Sequence, residues 1–349
     1  MTDFKILISS ELTNLIDQID AFKSSWQESS LLMPEQLKVL RYIATIESVG
    51  SSTRIEGSKL SDREVEKILS GLKSESFRSR DEEEVAGYAY VMEEIFTSYL
   101  YIPLAENYIK QLHAMLLHYS TKDIRHRGDY KKFPNNVEAF DYQGKSLGIV
   151  FETTTPFETP LKMTELIDWT NKSFENNEYH PIIIIGVFIV IFLAIHPFQD
   201  GNGRLSRILT TLLLLKYDYS YVPYSSLETI IEHNKDGYYR ALRLTQATLK
   251  TENPDFHPWL LYFLRSLHKQ IEHLKVKINK EQLMLVSLPK LASDIVELAR
   301  NKGKITISDI IAVTGASRST IKKHLASLVD QKYLTRYGKG RGVWYIANS

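Results

Sequence analysis

From Ile182 to Ile195 no side chain is polar, and the chain then runs straight into His196-Pro197-Phe198-Gln199-Asp200-Gly201-Asn202-Gly203-Arg204. A second, mostly apolar stretch follows from Ile208 to Leu215. Both apolar stretches read as core helices. A polar, glycine-rich loop between two such helices is costly to bury unless its groups are used, which points to chemistry at this place.

The loop can be taken residue by residue. A helix is expected from Arg204 onward, so Gly201-Asn202-Gly203 sits at its N-terminus, where free N–H groups and the helix dipole attract an anion. The two glycines permit the close approach and unusual φ that such a nest requires. Arg204 and Arg207 are three residues apart on one helical face, and each is a planar fork suited to phosphate. Asp200 is the one carboxylate in this basic setting and would repel a phosphate unless a Mg²⁺ lay between them. His196 is the side chain suited to take a proton near neutral pH. Together the parts describe a nucleotide phosphate site with a metal and a general base, hence phosphoryl or nucleotidyl transfer. The competing plain reading is a capped helix start with surface arginines.

The stretch resembles the signature of the Fic family, His-x-Phe-x-(Asp/Glu)-Gly-Asn-Gly-Arg-x-x-Arg, at every fixed position. Gly203 stands where related kinases and toxins carry Lys, which is similar to the branch that transfers AMP from ATP to a protein hydroxyl. The resemblance implies His196 as general base on a target Ser, Thr or Tyr, and Asp200 as holder of the Mg²⁺ that bridges the α- and β-phosphates. It implies Gly201, Asn202, Gly203 and Arg204 as the anion hole, with Arg207 reaching the γ-phosphate. The fold implied is mainly α: a Fic-type helical core with a β-hairpin flap, an N-terminal helical region and a C-terminal winged helix-turn-helix. The corresponding segments are 1–100, 101–284 and 285–349.

Composition narrows the classes. Lys and Arg number 43 against 42 Asp and Glu, so no global charge calls for a nucleic-acid or membrane partner. There is no cysteine, hence no disulfide framework and no Cys-based metal site, which suits a cytoplasmic protein. Met-Thr-Asp-Phe-Lys does not read as a signal peptide. The apolar run ending at Ile195 falls short of the ~20 residues that span a bilayer, so a buried helix is expected rather than a membrane anchor.

Helical spacing is expected from Leu7 to Trp26, from Leu37 to Ile46 and from Arg63 to Ser70. Between the last two, Ser52-Thr53-Arg54-Ile55-Glu56-Gly57 reads locally as a helix C-terminus closed by Gly57. It also resembles the inhibitory motif (Ser/Thr)-x-x-x-Glu-(Gly/Asn) of many Fic proteins. The resemblance implies that Glu56 pairs with Arg207 where the γ-phosphate would sit, and that Ser52, four residues earlier on the same face, orients the segment.

Further helices are expected at 82–101, 107–117 and 159–174. From Asn135 to Thr155 the texture is strand-like, with a turn at Tyr142-Gln143-Gly144-Lys145. It reads as a hairpin, either decorative or matching the family flap that clamps a target segment by strand pairing through Phe151, Glu152 and Thr153. Gly128-Asp129-Tyr130-Lys131 stands where many relatives have Gly-x-Tyr-Arg, and Lys131 departs from that pattern. Ile230 to Leu244 reads as one helix, with Tyr238 and Tyr239 pointing about 100° apart. In the family this region, with Gln246, lines the nucleobase. Leu264, Leu267, Ile271, Leu274 and Ile278 repeat at spacings of three and four, as a packing seam or a homodimer contact.

From Lys290 to Ser349 there are 11 Lys/Arg against 4 Asp/Glu, about +7. Helices at 290–300, 307–313 and 318–329, a tight Thr314-Gly315-Ala316-Ser317 turn and a strand-like end resemble a winged helix-turn-helix. Arg318, Lys322 and Lys323 lie where a recognition helix meets a DNA groove, and Lys339 and Arg341 lie on the wing. Such modules also dock proteins.

The function expected is a protein adenylyltransferase that uses ATP and Mg²⁺ on a protein hydroxyl, its own included, and is held in check by Glu56. Two alternatives stand beside it. One is removal of AMP at the same site. The other is a DNA-binding regulator whose core senses a nucleotide.

Overall fold

The structure, a computed structural model, describes residues 5–28, 34–71, 77–135, 137–140, 146–286, 290–330, 333–338 and 340–348. The described chain is mainly helical, with two small antiparallel sheets. In order come α1 (Ser10–Glu28), α2 (Pro34–Ile55), α3 (Asp62–Gly71), α4 (Arg80–Ser98) and α5 (Glu106–Leu116). The hairpin β1 (Val137–Phe140) and β2 (Ser146–Phe151) follows, then α6 (Thr159–Glu175), α7 (Pro181–Ile195), α8 (Asn202–Lys216), α9 (Leu227–His233), α10 (Lys235–Gln246) and α11 (His257–Val286). The chain ends with α12 (Lys290–Lys302), α13 (Ile307–Thr314), α14 (Arg318–Asp330), β3 (Leu334–Tyr337) and β4 (Trp344–Ala347).

Two compact units result, Met1–Ser29 with Arg41–Ile271, and Ser30–Leu40 with Glu272–Ser349. In the larger unit α7 is the axis. Every residue from Ile182 to Ile195 is buried, as expected of a helix that is apolar all round. It packs against α6, α8 and α10, while α8 also meets α4 and α5. Each fully buried Ile, Leu or Phe here contributes about 1.5–3 kcal/mol, so the surroundings of the site are held firmly. Pro181 opens α7 at a position that has no use for its missing N–H. No described helix is long and apolar enough to cross a membrane.

Three local expectations change. Residues 34–55 form one helix, α2, which carries Ser52 in its last turn and delivers Glu56 just past its end. Helix α8 begins at Asn202, two residues before Arg204, so Asn202 and Gly203 lie inside its first turn. The single helix expected over 230–244 is two, broken at Asn234 (φ −131°, ψ 46°), whose side chain folds over Gly237. Asparagine favours such breaks because its amide competes with the helical backbone. Leu264, Leu267 and Ile271 are buried within the single chain, so that part of the repeat is a packing seam.

In the smaller unit, Ala292, Ile295, Val296, Ile310, Ile321, Leu325 and Leu334 share one core. Helix α13 starts on a capping box in which Thr306 Oγ1 accepts from Asp309 N–H and Asp309 Oδ2 accepts from Thr306 N–H. Gly315 (φ 64°) closes it and turns the chain into α14. Strands β3 and β4 pair antiparallel, Leu334 opposite Ala347 and Tyr337 opposite Trp344, and Ile305 bridges to Tyr345.

Candidate active site

Helix α7 ends on His196 in the left-handed region (φ 53°, ψ 61°), where histidine is one of the tolerated non-glycine residues. Pro197 cannot continue the helix, and the chain turns into the loop. His196 Nδ1 donates to the Leu193 carbonyl at 3.3 Å, which fixes the proton on Nδ1 and leaves the Nε2 lone pair open. Burial pushes the imidazole pKa down to about 4, so the ring is neutral at pH 7.

The loop that follows is tied on every side. Asn202 spends its amide on it: Oδ1 accepts from Phe198 N–H at 2.9 Å and Nδ2 donates to the Phe198 carbonyl at 2.7 Å. This pair of bonds ties the Asn202 side chain to the loop and leaves its backbone N–H facing the helix end. Phe198 stacks on His113 at 3.8 Å between ring centres. His113 accepts from Gly128 N–H through Nδ1 (2.9 Å) and donates from Nε2 to the Asp200 carbonyl (3.0 Å), so one neutral tautomer bridges α5, the Gly128 turn and the loop. Burial pushes its pKa down to about 4 as well.

Lys131 is a second tie. Its buried ammonium donates to Asn135 Oδ1 (2.8 Å), Thr153 Oγ1 (2.9 Å) and the Ile195 carbonyl (3.0 Å). Three N–H groups meet three neutral acceptors, and with no carboxylate among them burial lowers the pKa to about 8. The lysine at this position thus joins the base of the hairpin to the end of α7. Thr153, expected on the target-facing flap, turns its hydroxyl inward to Lys131 and Asn135, while Glu152 is exposed and Phe151 half-buried. The hairpin itself pairs Val137 with Phe151 and Phe140 with Ser146. The expected turn at Tyr142–Lys145 lies outside the described residues.

Helix α8 starts at the loop's far side, with Gly201 as its cap (φ 79°). Its first-turn N–H groups have no intrahelical partner. Arg204 and Arg207 stand on its face, both almost wholly buried. Arg207 donates from Nε to Ser52 Oγ (2.8 Å), and from Nη2 to the Ser52 carbonyl (3.0 Å) and Glu56 Oε1 (2.7 Å). Burial raises the Glu56 pKa, but Arg207, Arg204 and His196 outweigh it and hold the carboxyl below its ordinary value. The same carboxylate lies over Gly203: a Cβ there would come within 2.2 Å of Glu56 Oε1. Glycine at 203 is thus what lets an anion reach the helix end.

Arg204 Nη2 donates to Asp200 Oδ1 (3.3 Å), and Nη1 pairs with Glu84 Oε2 at 3.2 Å, at an angle that leaves its N–H without an acceptor. Arg204 Nε and Arg207 Nη1 are further buried donors with no acceptor. Unmet guanidinium donors at a helix N-terminus are what a polyphosphate would satisfy. Burial raises the Asp200 pKa, but Arg204, the Gly201 N–H and Arg80 outweigh it and keep the group ionised. Among the described residues no cluster of three or more His, Cys, Asp or Glu forms a metal cage.

Tyr238 is buried against Trp259 and Tyr262, with its hydroxyl turned toward Arg207 and Ser206, whereas Tyr239 is half-exposed and Gln246 buried. Of the two tyrosines, Tyr239 is the more exposed, with Lys235 Nζ 5.9 Å over its ring. Sequence reasoning missed His113, Asn135, Arg80 and Glu84. His113 falls within the apolar stripe of α5 and looks like an ordinary core residue, and the others carry no local signal.

The Fic/DOC family profile matches residues 103–214. A Fido domain-containing protein from Dictyostelium discoideum is 33% identical over 115 residues, which cover 75% of that protein and 33% of this chain. The chain belongs to the Fic family. A protein adenylyltransferase Fic from Drosophila mojavensis is 26% identical over 244 residues, 69% of this chain; the match spans less than half of that relative, 43% of its length. The crystal structure of a Fic family protein from Desulfovibrio desulfuricans G20 superposes with a TM-score of 0.66 at 21% identity, covering 99% of this chain and 98% of that one, a likeness of fold. Residues 287–345 match a family described as bacterial protein of unknown function DUF977.

Proposed function

We propose that this Fic protein is a protein adenylyltransferase that moves AMP from ATP to a Ser, Thr or Tyr hydroxyl of a protein, its own included, and is restrained by Glu56. One observation carries the reading. The neutral His196, its Nε2 open, shares a short loop with the α8 N-terminus, where Arg204 and Arg207 hold unmet donors.

The step follows from these groups. Nε2 of His196 takes the proton of the target hydroxyl as its oxygen attacks the α-phosphorus of ATP. The α–β bridging P–O bond breaks and pyrophosphate leaves. The first-turn N–H groups of α8 and the arginines stabilise the charge that gathers on phosphate oxygens. Lys131, on the Ile195 carbonyl, keeps the end of α7 and thus His196 in position. Tyr239 supplies a ring face for the base.

Asp200 fits a Mg²⁺: it is a hard oxygen donor, ionised, beside the nest, and one carboxylate suffices when phosphates and water complete the shell. When bound, the ion neutralises charge on the α- and β-phosphates. Glu56 opposes the whole arrangement. Its carboxylate takes Arg207 Nη2 and faces the α8 end, where a γ-phosphate would meet like charge.

Transfer of label from α-³²P-ATP with Mg²⁺ onto the protein and onto a lysate tests this. Strong label in Glu56→Gly, weak label in wild type and none in His196→Ala is expected. No label in any of the three would overturn it.

A second reading concerns the smaller unit, as a winged helix-turn-helix that binds duplex DNA. Helix α14 buries Ile321, Leu325 and Leu328 and leaves Arg318, Lys322 and Lys323 exposed. Lys339 and the Arg341 side chain lie outside what the structure describes. Binding that weakens steeply with salt is expected, and no retention on DNA at low salt would overturn it.

A further inference from the structure

Asp200 does not stand alone with Arg204. Four side chains close a ring of alternating charge. Arg80, the first residue of α4, donates from Nη2 to Asp200 Oδ2 and from Nε to Glu84 Oε1 (2.9 Å). Arg204 meets the other oxygen of each carboxylate, Asp200 Oδ1 at 3.3 Å and Glu84 Oε2 at 3.2 Å. The two arginines are not equivalent. The Arg204 side chain is 2% exposed, whereas Arg80 is 42% exposed and sits on the open side of the ring. Asp200 thus has one oxygen turned inward to a fixed cation and one turned outward to a cation that can leave.

We propose that Arg80 is a removable stand-in for the divalent ion on Asp200, and that Glu84 is the positioning residue that retains Arg80 when the ion arrives. This rests on the reading of Asp200 as a Mg²⁺ holder. A divalent ion and a guanidinium on the same oxygen, Oδ2, repel each other, so the two compete for it. The ion therefore displaces Arg80 from Asp200. Glu84 lies one helical turn along α4 from Arg80, and their 2.9 Å bond does not involve Asp200. Arg80 can then swing away without becoming unpaired. Glu84 also holds the Arg204 guanidinium from the side opposite Asp200, so the inner half of the ring survives the exchange. The device is a competition: it raises the concentration of ion needed, independently of Glu56, which acts at the Arg207 end.

Binding of Mn²⁺ to the full chain, followed by the electron paramagnetic resonance of the free ion, tests this without turnover. The titration is run with an ATP analogue whose α–β bridge cannot be cleaved. Wild type is expected to bind Mn²⁺ with the analogue. Arg80→Gln, which removes the competitor, is expected to bind it about two- to fivefold more tightly, as suits a half-exposed ion pair. Glu84→Gln, which removes the retaining partner and leaves Arg80 on Asp200, is expected to bind it more weakly. Circular dichroism of both variants establishes that they are folded. If wild type binds and Arg80→Gln binds equally or less tightly, the stand-in role is overturned while the reading of Asp200 survives. If wild type shows no analogue-dependent Mn²⁺ binding and Arg80→Gln shows none either, both fall together.

Discussion

Glu56 Oε1 accepts from Arg207 Nη2 at 2.7 Å, although the two residues are 151 positions apart and belong to α2's end and to α8. The carboxylate, its side chain 32% exposed, lies against the helix N-terminus at a place that Gly203 leaves open. On the proposed reading, this one ion pair occupies Arg207 Nη2 and lies over the helix end where a terminal phosphate would sit. The bond is directional, and it depends on what holds the end of α2.

Ser52 is part of that support. Its hydroxyl accepts from Arg207 Nε at 2.8 Å, while its carbonyl and Glu56 share Nη2. Ser52→Ala removes one of three acceptors and leaves the charge pair. Basal AMP transfer is expected to rise about fivefold, ~1 kcal/mol of lost restraint, and to remain well below Glu56→Gly in the same labelling assay.

Arg54 anchors the segment from its other side. It grips Glu232 of α9 with two bonds, 2.6 and 3.0 Å, and reaches Asp62 (2.9 Å) and the Leu60 carbonyl (3.0 Å). Arg54→Ala leaves two carboxylates and a carbonyl without their donor. A loss of about 1–3 kcal/mol is expected, read as a fall in Tm, together with raised basal transfer because Glu56 is less firmly placed. Unchanged Tm and transfer would show that the anchor is idle.

His113 couples stability to pH. Its pKa is about 4 in the folded chain against an ordinary 6.5, as is that of His196. Between those values the unfolded chain binds more protons, so the histidines' contribution to stability falls as pH drops through that window and is constant above it. Tm measured from pH 7 to 4.5 is expected to decline with a contribution of up to two protons. His113→Phe keeps the stacking on Phe198 and removes one of the two groups. It is expected to lower Tm at pH 7, since Gly128 N–H and the Asp200 carbonyl lose their partner, and to flatten the decline.

The same shift sets the acid limb of activity. kcat/KM reports the free enzyme's base, and His196 stays unprotonated until pH falls toward 4. In a Glu56→Gly background kcat/KM for ATP-dependent labelling is expected to be flat from about pH 5.5 to 7.5. An acid limb centred near 6.5 would mean that His196 is solvated in the working enzyme rather than buried as here.

Much of this was written locally in the chain. The run from Ile182 to Ile195 could only be a buried helix, because no face of it is polar, and the loop from His196 to Arg207 carries its glycines, carboxylate and arginines within a few residues of one another. The capping box of α13 and the glycine that closes it are equally local. The end of α2 at Gly57 was legible for the same reason: helix caps depend on near neighbours. The break at Asn234 was not, because a helical spacing of apolar residues continues across it while the backbone turns.

Tertiary structure alone decided which groups face the loop from elsewhere. His113 on α5, Lys131 and Asn135 before the hairpin, and Arg80 with Glu84 on α4 come from parts of the chain whose local patterns fit ordinary core or surface positions. Folding brings them within 3.3 Å of their loop partners, and their protonation and charge pairing follow from that enclosure. A sequence specifies its helices through neighbours three and four residues away. An electrostatic site is specified by whatever the packing of those helices brings into a low-dielectric space.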